Sequence, residues 1–289
     1  MSVEEYALAN GLEKVGARQP LLQYIKEAVK RVDFAYTMAS FSNEAGNAKS
    51  RIGGWWNILL PVIQATMYGL IFGLILGRSR PEPFLAFLFT GVFLFGYVQG
   101  SFTQGAGAIV ARQGLVRSLS FPRVLLPLSM VISQTITLLP QLLVLFVILL
   151  ITQPLSAFGV QWLMIFPLIG LMFIFNFGLA TTMARITVHV QDLNKLVPFI
   201  SRIMFYVSGV FFSVEKIMDS SNPLTVLIKM NPIFQFLTLA RSYLVERTPT
   251  DPPVDPWLWL SVSLWSVGLA AFGLVFFWRA EERYGREDK

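Results

Sequence analysis

This 289-residue chain has no cysteine and one histidine. The first absence excludes disulfide staples and thiolate metal sites. The second leaves His189, beside Gln191 and Asp192, with no second imidazole to share a metal, so it reads as a loop histidine and no metal is expected. A phosphate-cradling G-x-x-x-x-G-K-S/T loop is also missing, and no polar stretch is long enough to hold a nucleotide-hydrolysing domain. ATP chemistry would have to come from another chain; neither a cofactor nor a catalytic residue is expected in this one. Acidic charge is absent where the chain is most apolar, with no Asp or Glu inside any long apolar run. Proton- and ion-coupled carriers place a carboxylate or an unwound helix at mid-membrane. Only Pro140 and Pro167, as helix breakers, leave the second route open. A transferase acting on polyprenyl carriers would need paired acid/base or metal-binding carboxylates, and Asp192 stands alone in its loop. The first fifty residues hold no apolar run with a small-residue cleavage site, so no removable signal is expected.

What the chain does have is apolar length. Hydrophobic residues make up 54% of it and charged residues 14%. Six runs stand out: 55–77, 83–110, 124–151, 160–184, 196–212 and 257–278, the fifth being the shortest. A hydrocarbon core about 30 Å thick takes roughly 20 apolar residues in a helix to cross. The expected fold class is therefore an all-α integral membrane protein with six transmembrane helices. Alternate connections carry the positive charge: sixteen of the 23 Lys and Arg fall on the side of both termini, six on the other and one, Arg202, inside the fifth run. By the positive-inside bias both termini are expected in the cytoplasm, in a multi-pass protein. The net charge of +6 follows from that topology and gives no reason to expect nucleic acid.

Residues 1–50 read as a cytoplasmic tail and an interface helix, and 51–289 as a single transmembrane permease domain. Leu21, Ile25, Ala28, Val29, Val32 and Tyr36 recur at helical spacing, with Glu27 and Arg31 placed for an i,i+4 ion pair, which predicts an amphipathic helix in the headgroup layer. Residues 40–50 read as a polar connector. Trp55, Trp56, Trp257, Trp259 and Trp278 mark the interfaces. Gly69, Gly73 and Gly77 form a stripe that lets another helix approach closely. The second run is long, and its later half turns polar at Gln99, Ser101, Thr103 and Gln104, so it either projects from the bilayer or lines a wet path. Phe89, Phe93 and Tyr97 repeat every four residues on it; Phe199, Phe205, Tyr206 and Phe212 do similarly on the fifth. Two Asn-Pro pairs, Asn222-Pro223 and Asn231-Pro232, each combine an N-cap with a favoured first helical residue. They predict short helices over about 223–229 and 232–246, which dip into the outer leaflet and return before the last span. An extended proline-rich connector follows at 248–256.

These residues resemble a family, the permease subunits of ABC exporters of the polysaccharide-export branch, of the O-antigen (Wzm) and teichoic-acid type. IGGWWNILLP at 52–61 is similar to the family's Ile/Leu-Gly-x-x-Trp-x-x-Leu-x-Pro stretch, matching at Gly53, Trp56, Leu59 and Pro61. GLVRSLSFPRVLLPLS at 114–129 resembles the segment ending in Phe-Pro-Arg before span three. QDLNKLVPFISRIMFYVSGVFFS at 191–213 resembles the approach to span five, and MNPIFQFLTLARSYL at 230–244 the motif that opens the second outer helix. One difference is AKSRIGG, where family members usually carry a Tyr-Arg element.

The resemblance implies the transmembrane subunit of an ABC transporter in the inner membrane of a bacterium, a homodimer with two ATPase subunits that bind ATP and Mg. It would export a lipid-linked polysaccharide on an undecaprenyl- or decaprenyl-type carrier, of the O-antigen, galactan or teichoic-acid class. A long polar polymer needs hydroxyl-compatible walls, and aromatic rings suit the C–H faces of sugars. The expected path residues are Phe89, Phe93, Tyr97, Gln99, Tyr206 and Phe212; the expected ATPase contacts are Arg112, Gln113, Arg117 and Ser118. Asn222, Pro223, Asn231 and Pro232 would form the outer gate. The alternative within the same plan is an ABC permease for drugs or small lipids.

Overall fold

The computed structural model describes residues 19–48, 51–75, 83–154, 157–214, 222–246 and 255–281. Every regular element among them is a helix. The chain begins with α1 (Leu21–Lys30) and α2 (Val32–Ala48), broken at Arg31, then enters α3 (Trp56–Ile75) through a short 3-10 turn at Gly53–Trp55. The long α4 (Phe84–Gly107) returns, followed by the small α5 (Gln113–Ser118). Next come α6 (Leu125–Thr152), α7 (Ile165–His189) and the shorter α8 (Leu193–Val207). A helical hairpin, α9 (Pro223–Met230) and α10 (Pro232–Leu244), precedes the last helix, α11 (Pro256–Trp278).

Five of these stretches are long and apolar enough to cross a membrane: Gly53–Ile75, Phe84–Gly107, Leu125–Thr152, Val160–His189 and Pro256–Trp278. The count becomes six if α9 and α10, bent by 78° at their junction, are taken as one span. In such segments the helix bonds satisfy the backbone internally, as an apolar surrounding requires. The fifth expected span, 196–212, corresponds to α8, whose 15 residues fall short of the length of the other five.

Burial separates the helices sharply. In its most apolar window α4 is 72% buried, whereas α3 is only 6% buried, so α4 is the hub and α3 a peripheral helix. The glycine stripe of α3 works within the chain: Leu88 and Leu85 pack 3.4 and 3.6 Å from where a Cβ on Gly69 would lie, and Phe84 lies 3.5 Å from the equivalent point at Gly73. Gly77 lies outside the described residues. The closest crossing is α7 on α11, where a Cβ on Gly178 would come within 2.5 Å of the Ala270 backbone nitrogen.

Two readings from sequence change, and a third is left open. Residues 40–48 are not a connector, because α2 continues to Ala48 and packs along α6, with Asn43 and Ser133 exchanging hydrogen bonds at 3.2 and 2.6 Å. Pro140 and Pro167 break nothing: α6 runs through Pro140, and Pro167 sits in the first turn of α7, where no amide donor is needed. The polar half of α4 is mixed: Ser101 and Gly105 are buried, Gln99 and Thr103 half-buried and Gln104 exposed. The Ser101 and Thr103 hydroxyls donate back to the Tyr97 and Gln99 carbonyls at 2.9 Å each, and Gly105 lies against Ala180.

Candidate functional site

The bundle has two ends of different chemistry. At the end shared by both chain termini, α1 turns Tyr24 inward, almost fully buried. Its hydroxyl donates to Glu281 Oε2 at 2.9 Å and accepts from the Val124 N–H at 3.0 Å. The Arg123 N–H donates to Glu281 Oε1 at 3.1 Å, and its guanidinium donates to the Glu281 backbone carbonyl. The amides of Arg123 and Val124 precede α6, where helix geometry supplies no acceptor, so a carboxyl and a phenol from distant segments fill that role. Burial pushes the Glu281 carboxyl up to about 7, against the lowering effect of its bonds to Arg123 and Tyr24. Around this node Trp278 Nε1 donates to the Gln19 carbonyl at 2.9 Å, Arg31 to the Ser120 carbonyl at 2.9 Å, and Phe34 meets Phe121 at 5.1 Å between centroids. The expected Glu27–Arg31 pair is present at 2.9 Å. The Phe121-Pro122-Arg123 segment is thus where the amino-terminal helices, α6 and the chain beyond α11 meet.

Beside that node α5 exposes Gln113, Arg117 and Ser118, whereas Arg112 is half-buried and directs its guanidinium to Met130 Sδ at 3.4 Å. The structure therefore brings three of the four expected ATPase contacts to one small surface. The side of the amino-terminal helices packed on the protein is Tyr24, Ala35 and Ala39, while Val29, Val32 and Tyr36 of the apolar stripe are exposed on the protein surface.

The six expected path residues divide. Phe89, Phe93 and Tyr97 are interior, with Phe93 fully buried and the Tyr97 hydroxyl 2.8 Å from Thr135 Oγ1. Gln99 and Phe212 are half-buried, and Tyr206 is exposed on α8 together with Phe199. Deep in the bundle Asn176 is buried with neither amide atom hydrogen-bonded among the described residues.

At the opposite end the hairpin forms as its sequence dictates. The Asn222 side chain accepts from the Leu224 N–H at 2.9 Å and the Asn231 side chain from Ile233 at 3.0 Å, with Pro223 and Pro232 next in chain. Asn231 also donates to Ser208 Oγ at 3.2 Å, joining the hairpin to the end of α8. Gln153 at the end of α6 donates to the Leu244 carbonyl at 3.0 Å; Ser261 and Trp259 on α11 donate to Gln235 and Tyr243, both at 2.8 Å. Asp255-Pro256 repeats the capping device at the start of α11, the Asp255 carboxylate accepting from Trp257 at 2.9 Å. The connector expected at 248–256 lies outside the described residues up to 254. Sequence reading missed Tyr24, which falls off the apolar stripe, and Glu281, which follows the last apolar run by three residues; no local signal marks either. Asp255 could have been found by the Asn-Pro rule.

Five long apolar helices, one of them the buried hub α4, define a multi-pass membrane protein. A family model described as ABC-2 type transporter matches residues 43–245, and the chain belongs to that family. It is 27% identical over 241 residues to an O-antigen export system permease protein RfbA of Myxococcus xanthus, covering 80% of this chain and 83% of that one. A protein of the same name from Klebsiella pneumoniae is 25% identical over 236 residues, covering 80% and 88%.

Proposed function

We propose that this chain is the membrane subunit of an ATP-driven exporter of a lipid-linked polysaccharide. The observation that carries the reading is similarity along four-fifths of the chain to permeases named for O-antigen export, in register with more than four-fifths of their own length. The chain would pair with a second copy and with two ATPase subunits that hold ATP and Mg, in the inner membrane of a bacterium. The end bearing Tyr24, Glu281 and α5 faces the cytoplasm and the ATPases, and the hairpin end faces outward.

The contacts support this arrangement. Tyr24 bonds to Glu281, so the chain between them must cross an even number of times. Five long helices alone cannot do that. The sixth crossing is α8, which leaves α7 at the terminal end and finishes beside Ser208, next to the hairpin. Its 15 residues span about 22 Å at 1.5 Å per residue, enough for a locally thinned bilayer. The hairpin is then re-entrant, held at one end by Ser208, Gln153 and Ser261. α1 and α2 form the interface helix, with Val29 and Tyr36 toward lipid. On the glycan path Gln99, Tyr206 and Phe212 meet the polymer, backed from inside by Phe89, Phe93 and Tyr97. Asn222, Pro223, Asn231 and Pro232 shape the outer gate, while Arg112, Gln113, Arg117 and Ser118 form the ATPase-facing surface.

Deleting the gene in its own host and staining the cell surface for glycan tests the reading. Loss of surface glycan with lipid-linked polymer accumulating inside is expected. Undiminished surface glycan refutes it.

A further inference from the structure

The helix α10, PIFQFLTLARSYL, carries one cation in an apolar sequence, and Arg241 is 7% exposed. Among the described residues its guanidinium bonds to carbonyls alone: Nε to Phe87 at 3.2 Å, Nη1 to Gly209 at 2.9 Å and Nη2 to Val210 at 2.6 Å. It also lies over the Phe87 ring, with Cζ 3.4 Å from the centroid. Among the described residues no carboxylate pairs with it. Two glycines make the seat. Gly209, at φ +61°, turns the chain after α8 so that its own carbonyl and the next reach the fork. At Gly91 on α4 a Cβ would collide with the guanidinium and lie 2.7 Å from the Val210 carbonyl.

A buried charge without an anion is costly, and Leu or Met would fill the same space without that cost. What the planar fork adds is position, because its fixed donors bridge three carbonyls that a single ammonium cannot. Those carbonyls belong to the start of α4 and to the turn after α8, while the fork itself belongs to the hairpin.

We propose that Arg241 is a positioning residue, the latch of the hairpin-end exit. It holds the Gly209–Val210 turn against α4 and α10, and so fixes Tyr206 and Phe212, which flank that turn, along the glycan path. The proposal rests on the polysaccharide-export reading. A polymer leaving between α8 and the hairpin must displace the turn, and acceptors that are all neutral carbonyls let the fork release and re-engage without moving a proton.

The chain has no cysteine, so single reporters can be placed freely. Val210 is fully buried and Gln161 exposed. In the detergent-purified full chain, Val210→Cys should react with maleimide about tenfold more slowly than Gln161→Cys, and adding Arg241→Lys should raise its rate by about tenfold while Gln161→Cys stays unchanged. Gly91→Ala, which evicts the guanidinium from the α4 side, should give the same rise and decides the matter if the lysine variant does not accumulate. A Val210→Cys that reacts as fast as Gln161→Cys with Arg241 intact, or that stays slow in a folded Arg241→Lys or Gly91→Ala chain, overturns the latch. In the host, Arg241→Lys should lower surface glycan while the ATPase still co-purifies. An opened turn with undiminished glycan overturns the role in passage. Glycan display that is independent of the chain altogether sinks the export reading instead and leaves the labelling result standing.

Discussion

The two ends of this bundle are fastened by opposite chemistry. At the terminal end Tyr24 and Arg123 converge on a carboxyl, Glu281, that burial raises to about 7, and the Val124 N–H donates to the Tyr24 hydroxyl. At the hairpin end a buried guanidinium, Arg241, donates to three neutral carbonyls and lies over the Phe87 ring. The first fastening contains a carboxyl raised toward neutrality and ties down the amino-terminal helices beside the Phe121-Pro122-Arg123 segment. The second has no titratable acceptor and grips the turn after α8. On the proposed reading the engine and the exit lie at opposite ends, and holding them independently lets one move without loosening the other.

The largest effect that would break this comparison comes from Gly91→Ala. The new methyl meets the guanidinium and a backbone carbonyl, and overpacking of that kind costs about 3 kcal/mol. Thermal unfolding in detergent should show a lowered midpoint, with hairpin amides exchanging faster and α1 amides unchanged. Next in size is Tyr24→Phe, which removes the donor to Glu281 and the acceptor for Val124, worth about 2 kcal/mol together. Here hydrogen exchange should rise in α1 and α2 and stay put in α10. Equal loosening at both ends from either variant would mean that the fastenings are not independent.

A pH series sharpens the contrast. The Glu281 carboxyl shifts from 4.5 to about 7 on folding, so across that window the folded chain keeps a proton that the unfolded chain has released. The terminal end is therefore most stable below the lower value and loses stability as pH rises through the window to the upper one. Glu281→Gln should make α1 protection, corrected for intrinsic exchange, flat across this range. The hairpin end should be flat in both proteins. A smaller change, about 1 kcal/mol, is expected for Asn222→Ala, which removes one cap and should fray α9 alone.

How much of this could be read from sequence depends on how local the cause is. The hairpin was legible because Asn222-Pro223 and Asn231-Pro232 each carry their own start signal, and α9 and α10 begin where those signals stand. The long spans were legible from apolar length alone, with ends within a few residues for all but the fourth and fifth. The continuation of α2 was not, because SFSNEAGNA is locally loop-like and is helical where Asn43 finds Ser133, ninety positions away. The aromatic repeat of Phe89, Phe93 and Tyr97 was real, but periodicity names a face without naming its neighbour, and here the neighbour is the protein's own core. Arg241 and Glu281 each depend on partners more than thirty residues distant, which no window on the sequence contains.

The most direct test reconstitutes the chain with its host's companion ATPase in liposomes that carry the host's lipid-linked glycan on the ATPase-facing leaflet. Transfer of the glycan to the far side that needs ATP, this chain and the ATPase together is the predicted result. Transfer by this chain alone, or none with all three present and ATP turning over, contradicts the account.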